Sequence, residues 1–255
     1  MTAFETLRDA HVVMLTGTYL DGCAEGPDGA GYVFSRAIPD PTLNFAYGIR
    51  SPAQLDWARA QAQALGRAPA VLAREEEQAG LLALCRPEAT YPARWMLRPA
   101  AEPPACAALE AVVVEPHADP VPPEDFVAVF GALSDEPFVR EHLARYYLPS
   151  LAEAASPEAI AAHHIVVHHE GAPAACASLY LQEDLAGLYN VSCRADLQGR
   201  GLGSAVTAAA IGHAAAEGAR AVFLQCPADG PVERLYARAG FEPAYAPVLV
   251  CLPEE

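Results

Sequence analysis

The chain reads as a mixed α/β (α+β) protein, and three observations predict it. Short apolar runs rich in β-branched residues alternate with helical patterns through the second half. A glycine-rich turn, Gln198-Gly199-Arg200-Gly201-Leu202-Gly203, joins a strand-like run at 188–193 to an alanine-rich helical pattern at 204–216. The first hundred residues carry strand, helix and strand signals in a similar order.

Taken in order, 43–49 reads as a strand, and Ser51-Pro52 is a cap plus first-turn proline for a helix through Leu65. Strands follow at 68–73 and 91–97. Arg98-Pro-Ala-Ala-Glu-Pro-Pro104 reads as a linker, and the β-branched run in 109–115 opens the next set of elements. Two helices are expected at 124–131, with acidic residues in its first turn, and 136–148, apolar at Phe138, Val139, Leu143 and Tyr147. Three strands at 162–168, 174–181 and 185–193 precede the glycine turn. After the helix at 204–216 come a strand at 221–225 and a helix starting at Pro231. That helix stops at Gly240 in left-handed conformation, and Phe241 starts the next strand. The expected division is an N-terminal α/β domain, 1–105, and a C-terminal domain, 106–255.

At 255 residues and 53% hydrophobic, the chain has ample material for a core. Its net charge of −16, with no lysine, argues against a nucleic-acid partner and tends to attract a cationic one. No apolar run reaches membrane-spanning length and the start lacks a basic-then-apolar leader, so a cytoplasmic protein with no membrane partner is expected. Seven cysteines without a C-x-x-C read as reduced, mostly buried thiols. Strand alternation puts His164 and His168 on one face and His163 and His169 on the other, so no shared metal site is expected.

A glycine turn opening a helix aims unpaired backbone N–H groups at one point, which suits a phosphate. A Walker loop is excluded by the missing lysine. A dinucleotide fingerprint is excluded because the third glycine position falls on Ser204 or Val206, and Gln225-Cys226 stands where an acidic strand end is needed.

The turn resembles the Q/R-x-x-G-x-G/A loop of the GNAT superfamily of N-acetyltransferases, with Gln198, Gly201 and Gly203 in the defining positions. The preceding 193–198 resembles the family's V-x-P-x-x-Q/R, departing at Cys193 and Ala195. Downstream, 221–225 and Glu233-Arg-Leu-Tyr236-Ala-Arg-Ala-Gly240-Phe241 resemble the fifth strand, the fourth helix and the L-Y-x-x-x-G-F signature that closes it. The segment 226–231 replaces the usual Asn and Ala before that helix. The resemblance runs from about Val112 to the C-terminus.

It implies a mostly antiparallel sheet flanked by helices, with a V-shaped splay between the fourth and fifth strands. It also implies acetyl-CoA as co-substrate and no metal. The pyrophosphate would be cradled by Gln198, Gly199, Arg200, Gly201, Leu202, Gly203 and Ser204. Backbone amides of Val191, Ser192 and Cys193 would hold the pantetheine arm, one of them polarising the thioester carbonyl. Arg194 and Arg200 would offset the negative global field. Tyr236 matches the residue that protonates the leaving thiolate, in direct transfer to an amine within a ternary complex. The alternative is a non-catalytic acyl-CoA-binding sensor or regulatory module. The N-terminal half is either a degenerate copy of the same fold or an unrelated α/β cap, and in both cases could build part of the acceptor pocket. A monomer or homodimer is expected. No general base is legible: Asn190 and Ser192 can hold only a water, and Glu183 and Asp184 lie in a turn.

Overall fold

A computed structural model describes residues 3–102 and 112–253. The N-terminal half contains α1 (Phe4–Leu15), β1 (Gly22–Glu25), β2 (Gly31–Phe34), β3 (Phe45–Tyr47), α2 (Pro52–Ala64), β4 (Ala70–Ala73), α3 (Glu75–Leu84) and β5 (Ala89–Pro99). The C-terminal half begins with β6 (Val112–His117), α4 (Glu124–Gly131), α5 (Pro137–His142) and α6 (Leu148–Ala152). It continues with β7 (Ala161–His169), β8 (Ala172–Gln182), β9 (Leu185–Cys193), α7 (Leu202–Ala216), β10 (Ala221–Pro227), α8 (Pro231–Arg238), β11 (Glu242–Tyr245) and β12 (Val248–Cys251).

All twelve strands join one sheet, in the order β1-β2-β3-β4-β12-β5-β10-β9-β8-β7-β6, with β11 added alongside β5. Among the described residues only β3–β4 and β9–β10 pair in parallel. The expected mixed, mostly antiparallel sheet flanked by helices is therefore present.

The halves interlock. β5, from the N-terminal half, pairs along Ala93–Pro99 with β10 of the C-terminal half. β12, the last strand of the chain, inserts between β4 and the start of β5. Each half thus completes its sheet with a strand from the other.

Sequence periodicity explains the layers. In α7 the buried residues Leu202, Val206, Thr207, Ala210, Ile211 and Ala214 recur at helical spacing. They cover the sheet face carrying Ile165, Val167, Ala177, Leu179, Val222 and Leu224. The opposite face, with Val166, Cys176, Tyr180, Phe223 and Trp95, is covered by α1 through Leu7, Met14 and Leu15 and by α4 through Phe126, Val129 and Phe130.

Three expectations change. The supposed linker begins inside β5: Arg98 is buried, pairs across to Val222, and donates to the carbonyls of Ala239 and Glu102. A cation at the end of α8 satisfies carbonyls that the helix cannot, so it earns its place in a strand that composition disguises. The rest of that stretch, 103–111, lies outside the described residues. The helix at 136–148 runs on to Ala152 through a π turn at Leu143–Tyr147. The turn lets Pro149 fall in the first turn of α6, where no intrahelical N–H is required. The thiols are free but not mostly buried: Cys176 and Cys226 are buried, Cys85, Cys193 and Cys251 partly so, and Cys23 is exposed; Cys106 lies outside the described residues.

Candidate active site

β9 and β10 pair only over Leu185–Gly187 and Ala221–Phe223. Beyond that, β9 follows β8 as far as Cys193 while β10 follows β5 as far as Pro227. A V-shaped opening results. Its cause is local as well as topological. Asn190 takes a left-handed φ of 53°, and the β8–β9 register shifts between Cys176 and Ser178. Such a bulge twists the strand. It is held by Asn190 Nδ2 donating to Ser178 Oγ at 2.9 Å and by Tyr19 donating to Asn190 Oδ1 at 3.0 Å. Ser192 and Cys193 pair with Cys176 and Ala175 on β8, so the other edge of β9, at Val191–Cys193, faces the opening.

From Cys193 the chain passes through a 3₁₀ turn at Ala195–Leu197 into the glycine loop. Gly199 and Gly201 have φ of 79° and 83°, and Gly201 is the N-cap of α7 in left-handed conformation. These angles are strained for any residue with a Cβ. Past this turn the first-turn N–H groups of α7, from Leu202 to Ser204, have no partner within the helix. The Leu202 side chain is buried, so only its backbone can serve a ligand. Gly203 packs toward the Leu235 side chain, with space for no more than an ordinary contact from a Cβ. The Gln198 amide donates to Leu133 O at 2.9 Å, lashing the loop to the segment after α4. The Arg194 guanidinium pairs with Asp196 at 2.9 Å. Arg200 is exposed on the loop.

Tyr236 lies on α8, on the α7 side of the sheet. The helix closes with Phe241 N–H bonded to Tyr236 O and Gly240 N–H to Ala237 O, both at 3.0 Å. Gly240 has φ 88°. This is a Schellman stop, and its usual apolar contact is the Tyr236–Phe241 ring pair at 5.9 Å. Burial pushes the Tyr236 phenol well above its ordinary value, so the hydroxyl keeps its proton.

On the other side of the sheet the structure brings in a residue that sequence reading missed. His11 of α1 is buried, with Nδ1 3.0 Å from the Tyr189 hydroxyl and 2.8 Å from the Gln225 side-chain amide. Tyr189 on β9 and Gln225 on β10 each stand two residues past the last paired position. His11 therefore ties the two arms at the base of the V. Gly187 makes room: a Cβ there would lie 2.5 Å from Tyr189, 2.8 Å from Met14 Sδ and 3.1 Å from Phe223. Desolvation lowers the His11 pKa to about 4, so the ring is neutral. The only sequence signal was a histidine at an otherwise apolar helical position, which no motif marks.

His11, Gln225 and Cys226 open onto a cavity of about 640 Å³ shared with Asp40, Phe45, Leu72, Tyr91, Trp95 and Leu249 of both halves. Asp40 accepts from the Tyr147 hydroxyl at 2.6 Å and lies 2.9 Å from His142 Nε2.

The histidine-rich strand divides between faces as expected. His164 contacts Ser178 and Pro120 O, and His168 contacts Asp125, both toward α4. His163 turns to α7, where it meets His213 at 2.9 Å with Glu217 nearby. Glu183 and Asp184 are exposed in the β8–β9 turn. In the N-terminal half, β3, α2 and β4 echo β9, α7 and β10, but α2 begins without a cradle. Ser51 caps it by accepting from Gln54 N, and the Gln54 side chain accepts from Arg50 N and donates to Pro27 O.

Residues 128–241 match the model of the acetyltransferase (GNAT) family. None of the curated proteins compared matches the sequence. Among solved structures, a GCN5-related N-acetyltransferase from Kribbella flavida superposes with a TM-score of 0.66 at 18% identity, covering 97% of this chain and 95% of that one. A tandem GNAT protein from the clavulanic acid biosynthesis pathway gives 0.62 at 16%, covering 90% and 82%. A GCN5-related N-acetyltransferase from Sphaerobacter thermophilus gives 0.62 at 19%, covering 98% and 84%. At these identities the likeness is one of fold.

Proposed function

Residues 128–241 being a GNAT-family domain in a chain of GNAT fold, we propose that the protein transfers an acetyl group from acetyl-CoA to an amine. The observation that carries this reading is continuity: the open edge of β9 leads straight into the glycine loop, so an extended ligand could lie along one and end in the other. The donor, when bound, supplies an acyl thioester. Backbone N–H groups of the loop from Gln198 to Ser204 hold its pyrophosphate, and the Val191–Cys193 edge holds the arm. An amide on that edge polarises the carbonyl, as in an oxyanion hole. Tyr236, protonated throughout the working pH range, gives its proton to the departing sulfur. The amine attacks the acyl carbon directly within one ternary complex, without a covalent acyl-enzyme.

The two halves, divided near residue 105, are read as copies of one unit, the N-terminal one having lost its cradle to the Ser51–Gln54 plug. The protein works as a monomer or homodimer. A cytoplasmic setting suits the free thiols, and among the described residues no helix is long and apolar enough to cross a membrane.

The rival is a non-catalytic acyl-CoA-binding module. It is favoured by one observation: the Tyr236 ring is already accounted for as the apolar contact of a helix stop. Thiol release from acetyl-CoA against a panel of amines, with mass spectrometry of products, separates the two. Acetylated amine with matching thiol release is the expected result. Binding of acetyl-CoA without release on any amine would establish the rival, and absence of binding would remove both.

A further inference from the structure

We propose that His11, brought from the N-terminal helix, is the proton acceptor for an amine bound in the cavity between the halves. The inference rests on the acyltransferase reading and adds to it the missing base and the class of acceptor.

Position comes first. His11 sits where β9 and β10 separate, on the sheet face opposite α8, which carries Tyr236. A ligand threading the V would therefore have a proton donor on one side of the sheet and a proton acceptor on the other. This is the arrangement that acyl transfer to an amine requires.

Orientation comes second. Nδ1 is the nitrogen engaged by Tyr189 and Gln225. In the structure it is Gln225 Nε2 that lies 2.8 Å from Nδ1; the proposed base requires the amide turned by half, so that Oε1 faces Nδ1, Nδ1–H donates and His11 Nε2 carries the lone pair. Tyr189 and Gln225 are positioning residues. The other titratable groups around the ring and cavity are Cys226 on β10, Tyr91 on β5 and Asp40; on α1 itself, Arg8 and Asp9 pair with each other at 2.7 Å. No other carboxylate lines the cavity among the described residues. A neutral imidazole has a free lone pair, and the nitrogen of the attacking amine becomes far more acidic as its bond to carbon forms, which lets a weakly basic ring accept its proton.

The step balances. The amine nitrogen bonds to the acyl carbon as the carbon–sulfur bond breaks. One proton leaves nitrogen for His11 Nε2, and one passes from Tyr236 to sulfur. Solvent then returns the His11 proton to the Tyr236 oxygen, leaving amide, free thiol and the starting enzyme.

The cavity also selects. Trp95, Phe45, Leu72 and Leu249 make most of its wall apolar, and Asp40, whose oxygens are also engaged by Tyr147 and His142, is its one carboxylate among the described residues. That combination fits a primary amine on an apolar body, bound as a cation near Asp40 and losing one proton to solvent before reaction. It does not fit a polyamine or a zwitterionic amino acid, whose further charges would be desolvated without partners.

The test pairs His11→Asn with ¹⁵N-histidine NMR of the donor-free protein. Asparagine reproduces the Nδ1 contact and lacks the Nε2 lone pair. The variant should bind acetyl-CoA as the wild type does and lose at least 100-fold in kcat toward apolar primary amines. The wild-type His11 signal should show the Nδ1–H tautomer, with Nε2 shifting when such an amine is added. Should His11→Asn not fold, Tyr189→Phe takes its place, with an expected several-fold loss in kcat at unchanged KM. Wild-type turnover retained within threefold in His11→Asn, an Nε2–H tautomer in the amine complex, or a preference for polyamines would each overturn the proposal. A wild type that releases no thiol with any amine overturns the acyltransferase reading itself, and this proposal with it.

Discussion

At the residue scale, one side chain can serve two masters, and substitutions can separate them. Tyr236 closes α8 through its ring and carries its candidate chemistry in its hydroxyl. Tyr236→Phe keeps the ring contact. It should lower kcat by roughly 10- to 100-fold while leaving acetyl-CoA affinity and thermal midpoint unchanged, as read by steady-state kinetics, calorimetry and melting. Undiminished turnover would leave the residue with its packing role alone. Buried histidines give a second expectation. His11 and His164 both have pKa values lowered to about 4 by desolvation, against 6.5 in the unfolded chain. Between those values the unfolded state binds more protons, so stability is fully present above pH 6.5 and is lost as pH falls toward 4. Each ring contributes about 3 kcal/mol to that loss. Denaturant midpoints at pH 7 and 4.5 should differ accordingly, and His164→Asn should shrink the difference. A flat profile would show that these rings are not buried neutral. His164 was legible as one member of a histidine pair facing α4; His11 was not, because a histidine on an apolar helix face has no signature until its neighbours are known.

At the element scale, the opening between β9 and β10 depends on what sits at its base. At Gly187 a Cβ would run into Tyr189 of β9, Met14 of α1 and Phe223 of β10. Gly187→Ala should cost about 1–3 kcal/mol through overpacking, measured by denaturant unfolding, and should disturb the Tyr189–His11–Gln225 tie. Full stability would mean that Tyr189 and Met14 can both yield. The loop is governed differently. Gly201→Ala adds strain at φ 83° and should weaken acetyl-CoA binding more than it weakens the fold. Binding equal to wild type would argue against the loop as the donor's cradle. Most elements near this site were readable, from the glycine turn and alanine-rich run of α7, the apolar run of β10, and the Pro231 start and Gly240 stop of α8. The helices and strands missed were α1, β1, β2, α3 and β12. α3 is nearly all-round mixed in polarity, and β1, β2 and β12 are four residues each, too short for alternation to rise above chance.

At the scale of the whole molecule, the sheet is continuous because the halves exchange strands. Without β5, β10 keeps only its short pairing with β9, and without β12, β4 and the start of β5 are left unjoined. A fragment comprising 106–255 should therefore fail to fold as a soluble monomer, seen as poor amide dispersion by NMR or as aggregation, whereas mixing it with 1–105 should restore structure. A well-dispersed, stable fragment alone would show that the exchange is dispensable. The net charge of −16 adds long-range attraction for cations and repulsion for an anionic donor.

The sequence by itself determined the local chemistry: the glycine loop, the left-handed helix stop at Gly240-Phe241, the order of elements from Val112 to Phe241, and the faces on which His163, His164 and His168 lie. These follow from short-range rules of backbone sterics, capping and period, which act over a few residues. Tertiary structure alone decided that β5 belongs to the central sheet, that β12 crosses into the other half, and that His11 meets Tyr189 and Gln225 across 178 and 214 residues of chain. Such meetings depend on which buried surfaces find each other once the sheet has formed, and no local pattern encodes them.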